Sequence, residues 1–410
     1  MTKPNPIIRL LSSYGLSCVT LLLLFVLTWL GTLAQVDDGL HAAQKKYFDS
    51  FFVLADTTFD AFDRNVLLPL PGGQLLMWIL CANLLVGGML RMRRNKRTMG
   101  VFITHIGIAM MLIAGFVKYY HADDGHLTLY EGERADEFQD YYKWEIAITR
   151  ELGNGQVREF LIPGDEFTDL ERGESRKFVR EELPFDLVLD HYMPNSGVRP
   201  KGPRVATSMP VIDGFYLLDK PLNPKAEGNV AGAYASIVSK AGGASQQGIL
   251  YGMALPPYPS QRRYFAASTT ATNPWVFETG GETWGVELRH VRYPLPFTLH
   301  LDDFTHEKHP RTGVASNYQS DVTMIEGDVV RPLVIRMNEP LREAGFIVFQ
   351  TGYGPQPDKP TDHMWSKFTV VRNPSDQWPL YSCIVIAIGL LIHFVGKLLA
   401  YSRSEARRAS

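Results

Sequence analysis

Residues 74–119 decide the fold, and they read QLLMWILCANLLVGGMLRMRRNKRTMGVFITHIGIAMMLIAGFVKY. Two apolar runs, residues 74–90 and 101–119, flank a basic segment at residues 91–97 that holds five cations. Because about 20 apolar residues cross a ~30 Å hydrocarbon layer as a helix, each run predicts a membrane-spanning helix. Lysine and arginine concentrate in cytoplasmic loops, so the basic segment predicts that these two spans are joined in the cytoplasm.

Two further apolar runs, residues 16–33 and about 380–400, predict a first and a fourth span. The first run is longer than the 7–15 residues of a signal-peptide core, which favours an uncleaved anchor. Cations also close the fourth run and follow it, namely Lys397, Arg403, Arg407 and Arg408. We therefore expect both termini in the cytoplasm, with the fourth span and a cytoplasmic tail in residues 379–410.

Two segments then lie outside the cytoplasm. In residues 36–73, the apolar stretch at residues 47–54 is followed by alternating aromatic and acidic positions, which predicts a short amphipathic helix on the membrane surface or a lid on the large domain. In residues 121–378, short runs of alternating or β-branched residues predict strands, for example residues 144–149, 185–189 and 297–301. Glycine and proline clusters separate these runs, as expected for a β-rich sandwich or barrel-like domain.

The predicted fold class is therefore a four-helix transmembrane protein, N-in and C-in, with a large β-rich extracytoplasmic domain between the third and fourth spans. Residues 1–120 form the membrane region, with spans at residues 16–33, 74–90 and 101–119. Within the spans, Gly87 with Gly88 and Gly107 with Gly115 offer faces where helices can approach closely.

Charge and cysteine content exclude several function classes. The 410 residues carry a formal net charge of −2, so the overall charge gives no support for nucleic-acid binding. The three cysteines, Cys18, Cys81 and Cys383, all lie in apolar runs, and no CxxC occurs. The chain therefore carries neither a thioredoxin-like thiol pair nor a CxxCH haem attachment of its own.

Several short motifs resemble one membrane-protein family, the ResB family of cytochrome c biogenesis. Its carboxy-terminal periplasmic signature is similar, in order and spacing, to residues 299–304 (LHLDDF), 316–322 (SNYQSDV), 338–341 (NEPL) and 345–353 (GFIVFQTGY). Residues 30–35 resemble the family's Gly-Thr-…-Gln element, and residues 104–107 its His-x-Gly element. Residues 153–282 carry no matching motif.

The resemblance implies a subunit of a System II cytochrome c maturation complex in the cell inner membrane, with its large domain on the periplasmic side. With a CcsA-type partner in the lipid bilayer, such a subunit moves haem b across the membrane and supports its attachment to apocytochrome c. The partner's tryptophan-rich haem-binding element is absent here, so the resemblance implies a separate partner subunit. The alternative is a membrane scaffold or adaptor that binds no haem and only positions the partner.

Two histidines lie inside predicted spans, where ionisable side chains are costly and point to function. At ~1.5 Å per residue, His105 lies roughly 7 Å and His393 roughly 10 Å from the cytoplasmic end of its span. These similar depths predict that the two imidazoles face each other or share a cofactor. Neutral imidazole is an axial ligand for haem iron. The family resemblance supports His105 in this role, whereas His393 matches no family motif; the alternative for both is a hydrogen bond to a neighbouring helix or a water.

Two histidine clusters lie outside the spans. His306 and His309 are three residues apart before a proline, not four apart as a zinc-binding HExxH helix needs, so they predict an exposed loop. His121 and His126 flank two aspartates, and this cluster predicts a solvated loop at the membrane exit or, alternatively, a metal or haem contact. The sequence contains no independent catalytic motif, so any reaction is shared with a partner in a haem-lyase complex.

Overall fold

The computed structural model describes residues 5–59, 64–92, 95–153, 156–242, 245–253, 274–308, 315–354 and 364–409. The chain divides into two compact units. The helical unit comprises Met1–Ala122 and Asn373–Ser410, and the β-rich unit comprises Asp123–Arg372. The predicted strands at residues 144–149, 185–189 and 297–301 all lie in the β-rich unit.

The helical unit contains the α-helices α1 (Pro6–Leu11), α2 (Tyr14–Asp37), α3 (Leu40–Ala43), α4 (Gly73–Asn83), α5 (Met99–His121) and α6 (Trp378–Ala409). Residues Gln44–Phe48 continue α3, and Leu84–Leu90 continue α4, as π-helical turns. Four of these helices are long and apolar enough to cross a membrane: α2, α4 with its π-helical turn, α5 and α6. They confirm the four predicted apolar helices, whereas the side of the membrane on which each end lies stays a prediction.

Glycines let α5 and α6 approach closely. A Cβ atom added to Gly389 would lie 2.6 Å from the backbone nitrogen of Thr104, and one added to Gly107 would lie 2.9 Å from the carbonyl oxygen of Ser382. Such small residues allow backbones to pack in van der Waals contact without side chains between them. Gly107 therefore has the close-approach role predicted for it, whereas a Cβ on Gly115 would meet no atom within 4 Å.

The segment after α2 is not the predicted amphipathic helix. Helical structure ends at Phe48, and the chain then forms an antiparallel hairpin of β1 (Phe52–Phe59) and β2 (Arg64–Pro71). Val53 explains the difference, because it is 2% exposed and packs in one apolar cluster with Leu27 and Leu76. Aromatic and β-branched residues also favour strands when a partner run can pair with them.

The β-rich unit consists mainly of antiparallel strands. They are β3 (Asp123–Tyr130), β4 (Arg134–Gly153), β5 (Gln156–Pro163), β6 (Ser175–Phe178), β7 (Phe185–Met193), β8 (Ser196–Pro200), β9 (Phe215–Asp219), β10 (Gly232–Ser239), β11 (Gln246–Tyr251), β12 (Trp275–Thr279), β13 (Glu282–Lys308), β14 (Ala315–Glu326), β15 (Val329–Arg336), β16 (Leu341–Glu343), β17 (Phe346–Gly354) and β18 (Trp365–Arg372).

One sheet has the order β15-β14-β13-β4-β3-β18-β17-β16, with β5 paired to β4 and β12 to β13. Another has the order β11-β10-β7-β6, and β8 pairs with β9. The first and last strands of the unit are neighbours, since Asp123 of β3 pairs with Arg372 of β18. A large β-rich domain is thus confirmed.

Two hydrophobic cores share the two longest strands, β4 and β13. The sandwich core, around Trp284, Phe185 and Ile148, packs part of the large sheet against the four-stranded sheet. The barrel core, around Phe138, Leu299 and Phe368, lies between the remaining strands. An ion pair of 2.6 Å between Arg331 and Glu343 connects β15 with β16, the two ends of the large sheet.

A large bulge in β4 separates the two cores. Trp144 pairs with His290 and Gln139 pairs with Arg292, so residues 140–143 of β4 stand opposite a single residue of β13. The Asp140 carboxylate accepts hydrogen bonds from the backbone N–H groups of Tyr142 (2.8 Å) and Lys143 (3.0 Å). These contacts replace ladder hydrogen bonds that the bulge removes. We call residues 140–143 the bulge segment.

The predicted exposed loop at His306 is a strand instead. His306 and Glu307 lie in β13, opposite Tyr318 and Asn317 of β14, and the His306 ring stacks on Tyr353 with centroids 5.5 Å apart. The pairing partner in β14, which follows later in the chain, decides this outcome. His309 lies outside the described residues.

Candidate functional site

His105 in α5 is held by the backbone of the preceding span. Its Nδ1 lies 2.9 Å from the carbonyl oxygen of Gly88, in the π-helical turn after α4. Because a carbonyl oxygen only accepts hydrogen bonds, Nδ1 is the donor in this contact, and a neutral ring in this tautomer carries its lone pair on Nε2. This is the tautomer in which a histidine binds a metal through Nε2 while its other nitrogen is anchored.

The Gly88 carbonyl is available because the helix ends two residues later, at Leu90. The last carbonyls of a helix have no partner within it and accept other donors. Gly88 also makes room for the ring, since an added Cβ would lie 2.8 Å from Nδ1 of His105. π-helical turns occur frequently at functional sites, and here the turn ends beside the imidazole.

His393, in α6, contacts α5 on a different face from the one that carries His105. Its backbone nitrogen and Cα lie against Gly100 of α5, and its Nδ1 is buried without a hydrogen-bond partner among the described residues. At ~100° per residue, His105 lies about 140° around α5 from Gly100. The described contacts therefore place His105 and the backbone of His393 on different sides of α5, and haem ligation by either remains a prediction.

A second candidate site is a cavity of ≈ 200 Å³ in the β-rich unit, where the bulge segment separates the two cores. It is lined by residues from β3, β4, β13 and β18 and from the chain around residues 227–230 and 252–253. The lining residues that matter for chemistry are His126, Tyr141, Trp144, Glu227, Glu287, Arg289, His290, Arg292 and Lys367.

Two imidazoles in this cavity are buried among aromatic rings. His126 stacks on Tyr141 with ring centroids 5.1 Å apart, and His290 stacks on Trp144 at 3.8 Å. Burial lowers the pKa of His126 to about 4, and the nearby Lys367 adds to this effect. Burial likewise lowers the pKa of His290. Both rings are therefore neutral at pH 7.

The placement of His126 corrects the predicted exit loop. Residues Asp123–Tyr130 form β3, in which His126 pairs with Gln139 of β4 and with Thr369 of β18. The alternative of a metal site also finds no support, because no group of three or more histidine, cysteine, aspartate or glutamate side chains in the described residues has a metal-binding arrangement.

Acidification is expected to destabilise the β-rich unit through His126. The pKa of His126 is about 4 in the folded chain and ~6.5 in an unfolded one, so its contribution to stability is complete above about pH 6.5 and is lost as the pH falls towards 4. The difference corresponds to about 3 kcal/mol at pH 7. The free energy of unfolding of the detergent-solubilised chain, measured between pH 4 and 7.5, should fall less steeply with decreasing pH in His126→Gln than in the wild type.

The variant His121→Gln, at an exposed position, serves as the control. An equal slope in the wild type and in both variants would contradict the assignment.

Buried charges border the cavity. Arg289, 8% exposed, donates from Nε to Glu145 at 2.9 Å and from its terminal nitrogens to Glu159 at 3.0 and 3.1 Å. Burial alone lowers the pKa of Arg289, but the hydrogen bonds to Glu159 and Glu145 outweigh burial, so the net effect raises it. The same contact lowers the pKa of Glu159, which keeps that carboxylate ionised.

One part of the β-rich unit, from within β11 to residue 362, is similar to a known family. Residues 248–362 match the ResB-like family. This match, over what we call the ResB-like segment, confirms the resemblance indicated by the motifs at residues 299–353 and is consistent with a ResB-type cytochrome c biogenesis protein. No curated protein matches the chain. Together with the four apolar helices, the ResB-like segment points to a membrane protein involved in cytochrome c biogenesis.

The motif residues of the ResB-like segment stabilise the barrel. Gln350, 7% exposed, accepts a hydrogen bond from the Ser320 hydroxyl at 2.8 Å, and Ser320 also bonds the Ser366 hydroxyl at 2.7 Å. Asn338 has φ +62°, which suits a turn between β15 and β16. Tyr353 stacks on Phe304 with centroids 5.0 Å apart. These contacts are structural.

Sequence reasoning missed the cavity. His126 and His290 are separated by more than 160 residues, and they come together only because β3, β4 and β13 are neighbours in the sheet. His290 stands between charged residues, a pattern typical of an exposed strand. The alternation of apolar residues in β3 was the one local signal, because it indicates that His126 lies in a strand.

Proposed function

We propose that this ResB-like chain is the haem-handling subunit of a cytochrome c maturation complex, and that His105 ligates haem b through Nε2. The hydrogen bond between Nδ1 of His105 and the Gly88 carbonyl is the observation that carries the proposal, because it fixes the tautomer with a free Nε2. Haem supplies an iron centre that accepts an imidazole as axial ligand. The family match supports the assignment to cytochrome c biogenesis.

In this chain, His105 is the imidazole whose position suits haem ligation. Haem iron commonly takes a second axial ligand. We therefore propose that a histidine of a CcsA-type partner completes the coordination. In this arrangement the pair moves haem across the inner membrane and presents it to apocytochrome c. The β-rich unit then lies on the periplasmic side, in keeping with the basic segment at residues 91–97 on the cytoplasmic side.

A scaffold that binds no haem is the alternative, and the absorption spectrum of the chain purified with its CcsA-type partner separates the two. We expect a Soret band in the wild type that is lost or shifted in His105→Ala, with partner association retained. His393→Ala tests the separate predicted role of His393 in haem binding. An unchanged spectrum in His105→Ala, with cytochrome c assembly intact, would support the scaffold.

A further inference from the structure

Two cations, Arg292 and Lys367, line the cavity beside the bulge segment. One terminal nitrogen of Arg292 donates to Glu137 at 2.9 Å, but its Nε is buried and has no hydrogen-bond partner in the described part of the chain. The Lys367 ammonium lies 5.5 Å from the centre of the Tyr141 ring, and no ion pair joins it to a carboxylate among the described residues. Leaving the buried Nε of Arg292 unsatisfied costs free energy, so this group and the unpaired Lys367 ammonium favour a ligand that supplies acceptors.

The carboxylates of the cavity are engaged elsewhere. Glu227 accepts a hydrogen bond from the Tyr142 hydroxyl at 3.1 Å. Glu287 lies 3.8 Å from Arg289 and 3.9 Å from Arg292, too far for a short hydrogen bond, and burial raises its pKa. Neither neutralises Lys367 by direct contact. Burial lowers the pKa of Lys367, an effect that an anion bound beside it would oppose.

The lining residues and the volume of the cavity limit the chemical class of ligand that it can bind. Tyr141, Trp144, His126 and His290 present flat rings, and both imidazoles have a buried Nδ1 without a partner among the described residues. A volume of ≈ 200 Å³ lies below the ~300–1,000 Å³ of pockets for drug-sized ligands. A small planar acid fits these limits, whereas a whole tetrapyrrole exceeds them.

We propose that this cavity binds a small carboxylic acid as its anion, with Lys367 and Arg292 facing the carboxylate and the stacked rings of Tyr141 and Trp144 facing its apolar part. Charge-assisted hydrogen bonds to Lys367 and Arg292 provide the affinity. The imidazoles of His126 and His290, which are neutral, line the same cavity without adding charge. The site is independent of haem ligation at His105, because it lies wholly within the β-rich unit.

Calorimetric titration of the full chain in detergent with sodium benzoate tests the proposal, and neutral benzamide is the matched ligand without charge. We expect benzoate to bind at least about tenfold more tightly than benzamide, since a hydrogen bond to a charged group contributes this much or more. Lys367→Met should raise the Kd of benzoate at least about tenfold, and Lys367→Arg should retain most of the affinity. The exposed Lys220→Met is the control and should bind as the wild type does.

Three results would overturn the proposal. They are no benzoate binding by the wild type, equal binding of benzoate and benzamide, and equal binding of benzoate by the wild type and Lys367→Met. Zn²⁺ provides a separate arm: binding of Zn²⁺ that is lost in His126→Ala and His290→Ala, without benzoate binding, would show a metal site instead. Thermal unfolding of each variant confirms that it is folded, and Lys367→Arg keeps the test valid if Lys367→Met does not fold.

Discussion

Replacing Arg289 with methionine is expected to lower the free energy of unfolding of the β-rich unit by about 3–5 kcal/mol, the usual cost of leaving a buried charge without its partner. Arg289 holds Glu145, which is 5% exposed, and Glu159 at the same time. Removing the guanidinium leaves the Glu145 carboxylate buried without a cation. Denaturant unfolding of the full chain in detergent, followed by tryptophan fluorescence, measures the loss.

Two comparisons separate the buried charge from a general effect of losing an arginine. Arg176→Met breaks an exposed pair with Asp169 and should cost much less than Arg289→Met, because solvent screens exposed ion pairs. Adding Glu145→Gln to Arg289→Met removes the unpaired charge and should restore a large part of the loss. If the single variant Arg289→Met were as stable as the wild type, the charge network would have no structural role.

Replacing Gly88 with alanine is expected to weaken haem binding at His105 by about 10–100-fold, the typical effect of losing a group that orients a metal-bound histidine. The added Cβ would lie 2.8 Å from Nδ1 and would push the ring off the Gly88 carbonyl. Alanine also favours helix over glycine, so loss of the helix does not explain the expected effect. Haem titration followed at the Soret band, with the partner present, measures the affinity.

Gly115→Ala is the control for this prediction, because a Cβ at Gly115 meets nothing within 4 Å. It should bind haem as the wild type does. The double variant Gly88→Ala with His105→Ala should be no worse than His105→Ala alone, since Gly88 acts through His105. Wild-type affinity in Gly88→Ala would show that the hydrogen bond does not position the ring.

The sequence predicted the features that depend on local composition. Length and apolarity alone located the four long helices, and β-branched runs located segments of β4, β7 and β13. The hairpin β1–β2 was missed, because Val53 prefers a strand only once Leu27 and Leu76 cover it. No sequence pattern shows which distant strands will be neighbours.

The two candidate sites also differ in how much of each could be predicted from the sequence. His105 was evident as an ionisable residue in an apolar run and as part of a family motif. Its hydrogen bond to Gly88 was not, since that contact joins two helices and depends on where the π-helical turn ends. The cavity around His126 and His290 needed the register of β3, β4 and β13, which a single sequence does not contain.

The pairing of β3 with β18 affects how the chain is made. β3 is the first strand of its unit to be synthesised. β18, which pairs with β3 along its whole length, follows about 250 residues later. At ~5–20 residues per second, the ribosome takes roughly 12–50 s to cover that distance. Until then β3 exposes an unpaired edge, and such edges promote aggregation. We therefore expect the newly made chain to be most prone to misassembly before β18 has been synthesised.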